Sequence, residues 1–387
     1  MSPLPVISLF SGCGGLDLGV VTCMQPPAWQ LPSIYQDDPY EIAVATDYDE
    51  SSLRVLSKNS PEVATITEDI REVTSRALLD AAGLDVGDAA LVVGGPPCTP
   101  FSKSGFWIDE KRESRDPNAS LLDEFVRVVA DTRPEGFILE NVQGLTYRTH
   151  ARQFQRLLSG LRDAGYSVDW KVLLAADYGV PQLRRRVFVL GRRDGGRIDF
   201  PHATHSGWSE RDRSIDDSLK PYVTAREALA GLNALPEPDE IVEGQWADAA
   251  ASIPPGENYL FHTERGGGDN IWKWRSRYWT FLLRLDPSRP ATTIQAQPGP
   301  WVGPFHWENM ETEAGPRARR LRVPEILRLF GYPDDFITDQ DRREAQRQLG
   351  NSVPIGLGRV VARTHAAALG HIDGLSLEGE PVQASVA

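Results

Sequence analysis

The sequence predicts an α/β protein: a doubly wound, mostly parallel sheet with a second, smaller irregular domain. Up to about residue 195, short β-branched runs alternate with stretches whose apolar residues recur near every 3.6 positions. A glycine-rich turn follows the first β run, where such a sheet passes from strand into helix. From about 195 to 316 the texture changes to Gly, Pro, Trp and Asp with poor periodicity, after which helical patterning resumes. Three segments are therefore expected: 1–195, 196–316, and 317–387 returning to the first.

Strands are predicted at residues 6–10, 42–46, 64–67, 90–93, 137–139, 168–174 and 187–190, and helices at 53–59, 121–131, 151–165, 323–330 and 354–369. The first strand ends in Phe10-Ser11-Gly12-Cys13-Gly14-Gly15-Leu16-Asp17. Asp17 stands where a dinucleotide fingerprint would carry its third glycine, and the Gly-Lys-Ser/Thr of a phosphate-binding loop is absent. Asp47 and Asp69 close the next two strands. An acid after the second strand suits two ribose hydroxyls, and one after the third could accept a hydrogen bond from an adenine amino group. Without a pyrophosphate site, this set fits an adenosine-bearing cofactor such as S-adenosylmethionine. Aspartate at strand ends is also ordinary turn chemistry.

The apolar run 90–93 leads into Gly94-Gly95-Pro96-Pro97-Cys98-Thr99-Pro100-Phe101-Ser102. One thiol is thereby expected at the carboxyl end of a central strand, where open α/β sheets bind ligands. Phe137-Ile138-Leu139-Glu140-Asn141-Val142 brings a carboxylate to the same sheet edge, where partial burial favours holding a proton. Gln182-Leu183-Arg184-Arg185-Arg186-Val187 enters a further strand, and alternation predicts Arg184 and Arg186 on one face, able to hold a phosphate and a carbonyl oxygen. A thiolate, a proton donor and paired arginines describe nucleophilic attack on a polarised ring. Carbon 6 of a pyrimidine is such a position, and attack there makes carbon 5 ready to accept a methyl group from a sulfonium.

With 387 residues, 41% apolar and 25% charged, the chain has the composition of a soluble globular protein. No apolar run approaches the roughly 18 residues of a membrane span, and no signal peptide is evident. Cys13, Cys23 and Cys98 fit neither a zinc nor a disulfide spacing, so no metal site is expected and the compartment is reducing. The net charge of −13 argues against nucleic acid as a partner of the surface as a whole. Basic clusters at Arg184-Arg185-Arg186, Lys273-Trp274-Arg275-Ser276-Arg277 and Arg317-Ala318-Arg319-Arg320 nevertheless allow a basic cleft on an acidic protein.

Taken together, the motifs resemble those of the DNA (cytosine-5) methyltransferase family. Phe10–Leu16 is similar to its first motif, Gly95–Ser102 to its nucleophile motif, Glu140-Asn141-Val142 to its Glu-Asn-Val motif, and Gln182-x-Arg184-x-Arg186 to its Gln-x-Arg-x-Arg motif. Gly350-Asn351-Ser352-Val353-Pro354 resembles the last motif, with Arg289–Ile294 and Leu329–Pro333 resembling segments before it. The resemblance implies a Rossmann-like, S-adenosylmethionine-dependent catalytic domain over 1–195, a target recognition domain over 196–316, and a C-terminal return to the cofactor site. It implies that Cys98 attacks carbon 6 of a flipped cytosine, that Glu140 protonates or hydrogen-bonds the ring nitrogen, that Arg186 contacts the 2-keto oxygen, and that Arg184 contacts the phosphate or the ring. Phe10, Gly12, Gly14, Leu16, Asp47, Asp69, Ile70, Pro97, Leu121 and Asn351 would hold the cofactor. Ser102, Lys103, Arg115 and Gln182, with Arg265, Lys273 and Arg275 of the recognition domain, would contact DNA. Thr99 and Asp47 stand where Gln and Glu are usual in the family, and residues 22–40 form an insertion. The implied setting is a bacterial cytoplasm, with a monomer acting on double-stranded DNA and a cognate restriction endonuclease as its partner. An RNA enzyme with a tRNA substrate and a non-catalytic DNA-binding protein are the alternatives. The developed 195–316 region and the intact reacting residues speak against them.

Overall fold

A computed structural model describes residues 2–25, 38–97, 121–207, 216, 218–232 and 240–373. The chain divides into two compact units. One contains Met1–Leu174, Arg185–Thr204 and Ser352–Ala387, the other Ala175–Arg184 and His205–Asn351.

The first unit begins with β1 (Leu4–Leu9), α1 (Gly15–Val21), β2 (Tyr40–Asp47), α2 (Glu50–Asn59), β3 (Ala64–Thr67), α3 (Ser75–Ala82) and β4 (Leu91–Gly94). It continues through α4 (Leu121–Thr132), β5 (Gly136–Val142), α5 (Ala151–Asp163) and β6 (Ser167–Leu174). A two-residue strand, β7 (Gln182–Leu183), belongs to the second unit, and β8 (Arg185–Arg192) returns to the first. Among the described residues, seven strands form one sheet in the order β3-β2-β1-β4-β5-β8-β6. β1 to β5 run parallel to one another, whereas β8 is antiparallel to both β5 and β6. The sheet is therefore doubly wound and mostly parallel, reversing direction of growth between β1 and β4.

Burial explains the strand sequences. Central β1, β4 and β5 are covered on both faces and read as continuous apolar runs, with Leu91–Gly94 wholly buried. Edge strand β6 exposes Asp169, Trp170 and Lys171. Register then sets the functional edge: Leu9 lies beside Thr46 and Gly94, and Gly94 beside Leu139. Phe10, Asp47, Gly95 and Glu140 follow at one end of neighbouring strands. Glycine is required at 94, because a Cβ there would lie 2.9 Å from the Leu9 carbonyl oxygen and 3.1 Å from the Phe125 ring.

The second unit carries the paired strands β9 (His205–Ser206) and β10 (Lys220–Pro221), then α6 (Ala225–Leu229) and α7 (Ala247–Ser252). β11 (Ala291–Thr292) pairs with β7, and a hairpin joins β12 (Phe305–Thr312) to β13 (Gly315–Arg320). Helices α8 (Val323–Phe330) and α9 (Arg342–Asn351) complete it. Tyr259, Trp272, Phe281, Phe305 and Ala318 share one core. Arg319 and Arg322 both bind the buried Glu325 at 2.9 Å. The unit extends to Asn351. The return to the first unit comes with α10 (Ile355–Leu369), which packs on α1 where Gly19 and Gly358 meet. No helix among the described residues is long and apolar enough to cross a membrane.

Candidate active site

A cleft of about 230 Å³ opens at the carboxyl ends of β1, β2 and β3, lined by Phe10, Thr46, Asp47, Tyr48, Glu68, Asp69, Ile70, Arg71 and Leu121. Five residues expected at a cofactor, Phe10, Asp47, Asp69, Ile70 and Leu121, meet there. Phe10 takes a left-handed backbone, φ 54°, an uncommon state for a non-glycine residue. Gly12 and Gly14 also have positive φ, and Gly14 caps α1. Asp47 accepts the Gly12 N–H at 2.8 Å and the Asp49 N–H at 2.9 Å, so it ties the glycine turn to β2. Burial pushes its carboxyl above the usual range despite these bonds. The Asp69 carboxylate is bound by Arg71, which holds it below the usual range. Leu16 is buried in α1, and Asn351 is exposed at the end of α9 in the second unit. Thr46, Tyr48, Glu68 and Arg71 were not expected here, although each adjoins a strand-end acid. The lining combines an aromatic ring, aliphatic side chains and three carboxylates. It suits a ligand with a flat ring, vicinal hydroxyls and a positive charge.

Beneath the turn, Ser8 donates to Asp17 at 2.5 Å, and the Ser8 and Ser11 hydroxyls lie 2.8 Å apart. Burial raises the Asp17 pKa from 3.8 to about 7, against the lowering effect of the Ser8 bond. The folded state therefore holds this proton more tightly than the unfolded chain. The corresponding stability is present below about pH 4 and is lost as pH rises through about 7. Asp17→Asn is expected to remove this dependence. The variant's unfolding free energy in urea, relative to wild type, should rise between pH 4 and 8 by up to about 4 kcal/mol. A pH-independent difference would contradict the assignment.

At the end of β5, Glu140 and Asn141 are buried, at 7% and 2% exposure. Val142 faces Arg186 across the β5–β8 ladder, so Glu140 and Arg186 are diagonal neighbours on one face. The Arg186 Nε donates to Glu140 Oε1 at 2.7 Å. Asn141 Nδ2 donates to the Pro96 carbonyl at 3.0 Å, and a Cβ on Gly95 would lie 3.2 Å from Glu140 Oε2. The Gly-Pro-Pro turn thus runs beside the carboxylate up to Pro97, the last described residue before Cys98. Cys98, Ser102, Lys103 and Arg115 lie outside the described residues.

Gln182 and Arg184 make their contacts inside the second unit. The Arg184 N–H donates to the Gln182 carbonyl at 2.9 Å, closing a turn that breaks the strand, and β7 pairs with β11 instead of the main sheet. The alternation expected across 184–186 is lost. Arg184 is 2% exposed, donates to the Ile294 carbonyl at 3.1 Å and the Gly350 carbonyl at 2.8 Å, and lies 5.0 Å from the Phe330 ring centre. Gln182 is fully buried and donates to the Leu329 carbonyl at 3.1 Å. Both side chains cross-link motif-bearing segments of the second unit. Arg184→Ala, which leaves buried carbonyls without donors, is expected to lower the unfolding free energy in urea by about 2–4 kcal/mol. An unchanged midpoint would contradict this role. Arg265, Lys273 and Arg275 are exposed on the second unit.

The family model for C-5 cytosine-specific DNA methylase matches residues 4–367. The chain belongs to this family and is a DNA (cytosine-5) methyltransferase. It is 60% identical over 371 residues to the Type II methyltransferase M.SacI of Streptomyces achromogenes, covering 96% of this chain and 94% of that protein. It is 29% identical to M.FnuDI of Fusobacterium nucleatum, over 93% of each. Among solved structures, the Dnmt2 methyltransferase of S. pombe is similar with a TM-score of 0.60 at 17% identity, covering 95% of this chain and 99% of that one. The methyltransferase EhMeth of Entamoeba histolytica gives 0.61 at 15%, covering 95% and 98%. At these identities the structural likeness speaks to fold alone.

Proposed function

We propose that the enzyme methylates carbon 5 of a cytosine flipped out of a specific duplex DNA sequence, through a covalent adduct on Cys98. The observation that carries this reading is the buried Glu140–Arg186 pair beside a turn tethered by Asn141, directly before Cys98. S-adenosylmethionine supplies the methyl group as a sulfonium. Phe10, Ile70 and Leu121 would pack its adenine, and Asp47 and Asp69 would accept from ribose and adenine. Gly12, Gly14, Leu16, Pro97 and Asn351 would complete the site.

The Cys98 thiolate forms a bond to carbon 6 while Glu140 gives a proton or hydrogen bond to ring nitrogen 3, so that charge gathers at carbon 5. Arg186 is positioned both to fix the Glu140 carboxyl and to bind the 2-keto oxygen. Carbon 5 would take the methyl group as the methyl–sulfur bond of the sulfonium breaks and leaves a neutral thioether. Loss of the carbon 5 proton to a base and elimination would then break the bond from carbon 6 to the Cys98 sulfur and restore the thiolate. The relatives' Type II names favour a restriction-modification setting. A monomeric enzyme in a bacterial cytoplasm, with a cognate endonuclease as partner, completes the proposal. Methylation of plasmid DNA with S-adenosylmethionine, read by bisulfite sequencing, tests this. Protected cytosines in one short recurring context are expected. Conversion of every cytosine, with methylation of tRNA instead, would contradict it.

A further inference from the structure

We propose that Asp17, Ser8 and Ser11 form a proton-dependent hydrogen-bond chain that positions the glycine turn and Thr46 at the cleft beyond β1, β2 and β3. Asp17 is then a positioning residue, and the cleft binds its nucleoside most tightly while Asp17 carries a proton. The inference rests on the S-adenosylmethionine reading of that cleft above.

The chain runs from α1 to the lining of the cleft. Asp17 is 6% exposed, its Oδ1 lies 2.5 Å from the Ser8 hydroxyl, and among the described residues its Oδ2 has no hydrogen-bond partner. Ser8, buried on β1, lies 2.8 Å from the Ser11 hydroxyl. The Ser11 hydroxyl lies 3.4 Å from the Thr46 carbonyl, which also accepts the Ser11 N–H at 3.1 Å. Thr46 lines the cleft, and the Ser11 carbonyl accepts the Gly14 N–H at 2.9 Å within the turn. A charged carboxylate buried with one hydrogen bond and an orphaned oxygen is poorly stabilised, so this site favours the neutral acid.

Protonation sets the direction of the chain. A neutral Asp17 donates to Ser8, Ser8 to Ser11, and Ser11 to the Thr46 carbonyl, so each hydroxyl both donates and accepts. An ionised Asp17 accepts from Ser8, Ser8 accepts from Ser11, and the Thr46 carbonyl loses the hydroxyl. The turn then keeps only its main-chain ties to β2, the Ser11 N–H on Thr46 and the Gly12 N–H on Asp47. The elements packed on α1 are β2, β4 and α10, with β1 beneath the turn. β1 and β4 carry no titratable side chain. On β2, Asp47 faces Asp17 and opposes a second negative charge, Glu41 is exposed, and Tyr40 is turned to His371 at 2.8 Å. On α10, Arg359 donates to Thr22 at 2.7 Å, His365 lies 3.1 Å from the Gly191 carbonyl, and Arg363 acts on Cys23 beyond the end of α1. Cys13 is buried in the turn itself. The protonated form, which binds more tightly, is lost as pH rises through about 7.

The test uses the full-length enzyme and 5′-methylthioadenosine, a neutral nucleoside with no group that titrates near neutral pH, so any pH dependence belongs to the protein. Its dissociation constant is measured by titration calorimetry from about pH 5.5 to about pH 8.5. Wild type is expected to bind about fivefold less tightly at the alkaline end, with a midpoint at about pH 7. Asp17→Asn, whose amide donates to Ser8 at any pH, should keep the low-pH affinity throughout. Ser11→Ala, which cuts the chain at its outer end and leaves Asp17 titrating, should show the high-pH affinity throughout. It leaves the buried Ser8–Asp17 pair intact, so it decides the matter even where Asp17→Asn does not fold. A flat wild-type profile would overturn the inference. So would a wild-type slope retained in Asp17→Asn, which would give the titration to Asp47, or one retained in Ser11→Ala. A wild-type enzyme that binds neither the nucleoside nor S-adenosylmethionine at the acidic end would overturn the cofactor reading of the cleft itself.

Discussion

Cys98→Ala is expected to abolish methyl transfer, lowering kcat by about 10⁴-fold or more. No other thiol can substitute. Cys13 and Cys23 are 3% and 2% exposed, and burial raises the Cys23 thiol far above its ordinary pKa, leaving no thiolate near neutral pH. An alanine at 98 removes the atom proposed to bond to carbon 6, and without such a bond carbon 5 of cytosine is too weak a nucleophile to take a methyl group. The cleft at the ends of β1, β2 and β3, proposed to hold the cofactor, is built from other residues, so cofactor affinity should stay within about twofold of wild type, a change worth well under 1 kcal/mol. Incorporation of labelled methyl groups into plasmid DNA reads the first effect, and equilibrium dialysis with S-adenosylmethionine reads the second. Turnover by the alanine variant at the wild-type rate would refute the proposed chemistry.

The second large effect is expected at the Glu140–Arg186 pair. Glu140→Gln preserves shape and hydrogen bonding but cannot deliver a proton to the ring nitrogen, which should cost about 10²–10⁴ in kcat. Arg186→Ala should also cost about 10²–10³ in kcat, because it removes both a donor for the 2-keto oxygen and the group that orients Glu140. It differs from the glutamine variant in a second readout. Removing the guanidinium leaves a buried carboxylate without its cation, so the arginine variant alone should lose about 3 kcal/mol of stability. Arg186→Lys keeps a charge in reach of Glu140 and should recover stability more fully than rate. Equal kcat in wild type and Glu140→Gln would remove Glu140 from the chemistry.

The reach of the sequence differed between the two units for physical reasons. Strands of the main sheet are buried on both faces, so their apolar runs stand out, and their order along the chain brings Phe10, Asp47 and Glu140 to one edge. Direction was not legible for β8: a strand's composition does not say which way its neighbour runs, and the antiparallel insertion between β5 and β6 depends on a short connection. The break at Arg184 was hidden as well, because alternation assumes an unbroken strand. It is a turn hydrogen bond and pairing with distant Ala291–Thr292 that end β7 there.

Helix α9 escaped for another reason. It buries Gln346 and Gln348 alongside Ala345 and Leu349, so much of its inward face is polar and leaves no apolar stripe. Gln346 donates to the Gln295 carbonyl at 3.3 Å, a contact between residues far apart in sequence. The second unit relies on such polar cross-links elsewhere, as with Arg284, which donates to several carbonyls and to Asn309 Oδ1 at 2.8 Å. Buried arginines of this kind read as surface charge in a sequence, so the burial of Arg184 and Arg284 was not legible there. At the cleft beyond β1, β2 and β3, the strand-end acids were legible, whereas the neighbours that complete the lining and the Ser8–Asp17 pair beneath it required the packed structure.

The most direct test of the central claim is to offer the enzyme and S-adenosylmethionine a duplex with 5-fluorocytosine at the mapped target position. Fluorine on carbon 5 cannot leave as a proton does, so the reaction should halt after methyl transfer with the protein still bonded to the base. A complex that survives denaturation is expected, its mass equal to protein plus DNA plus one methyl group. The bond should map to Cys98, and Cys98→Ala should form none. Methylation of ordinary cytosine with no stable complex on the fluorinated duplex would contradict covalent catalysis, and a bond to any other residue would contradict the assignment of Cys98.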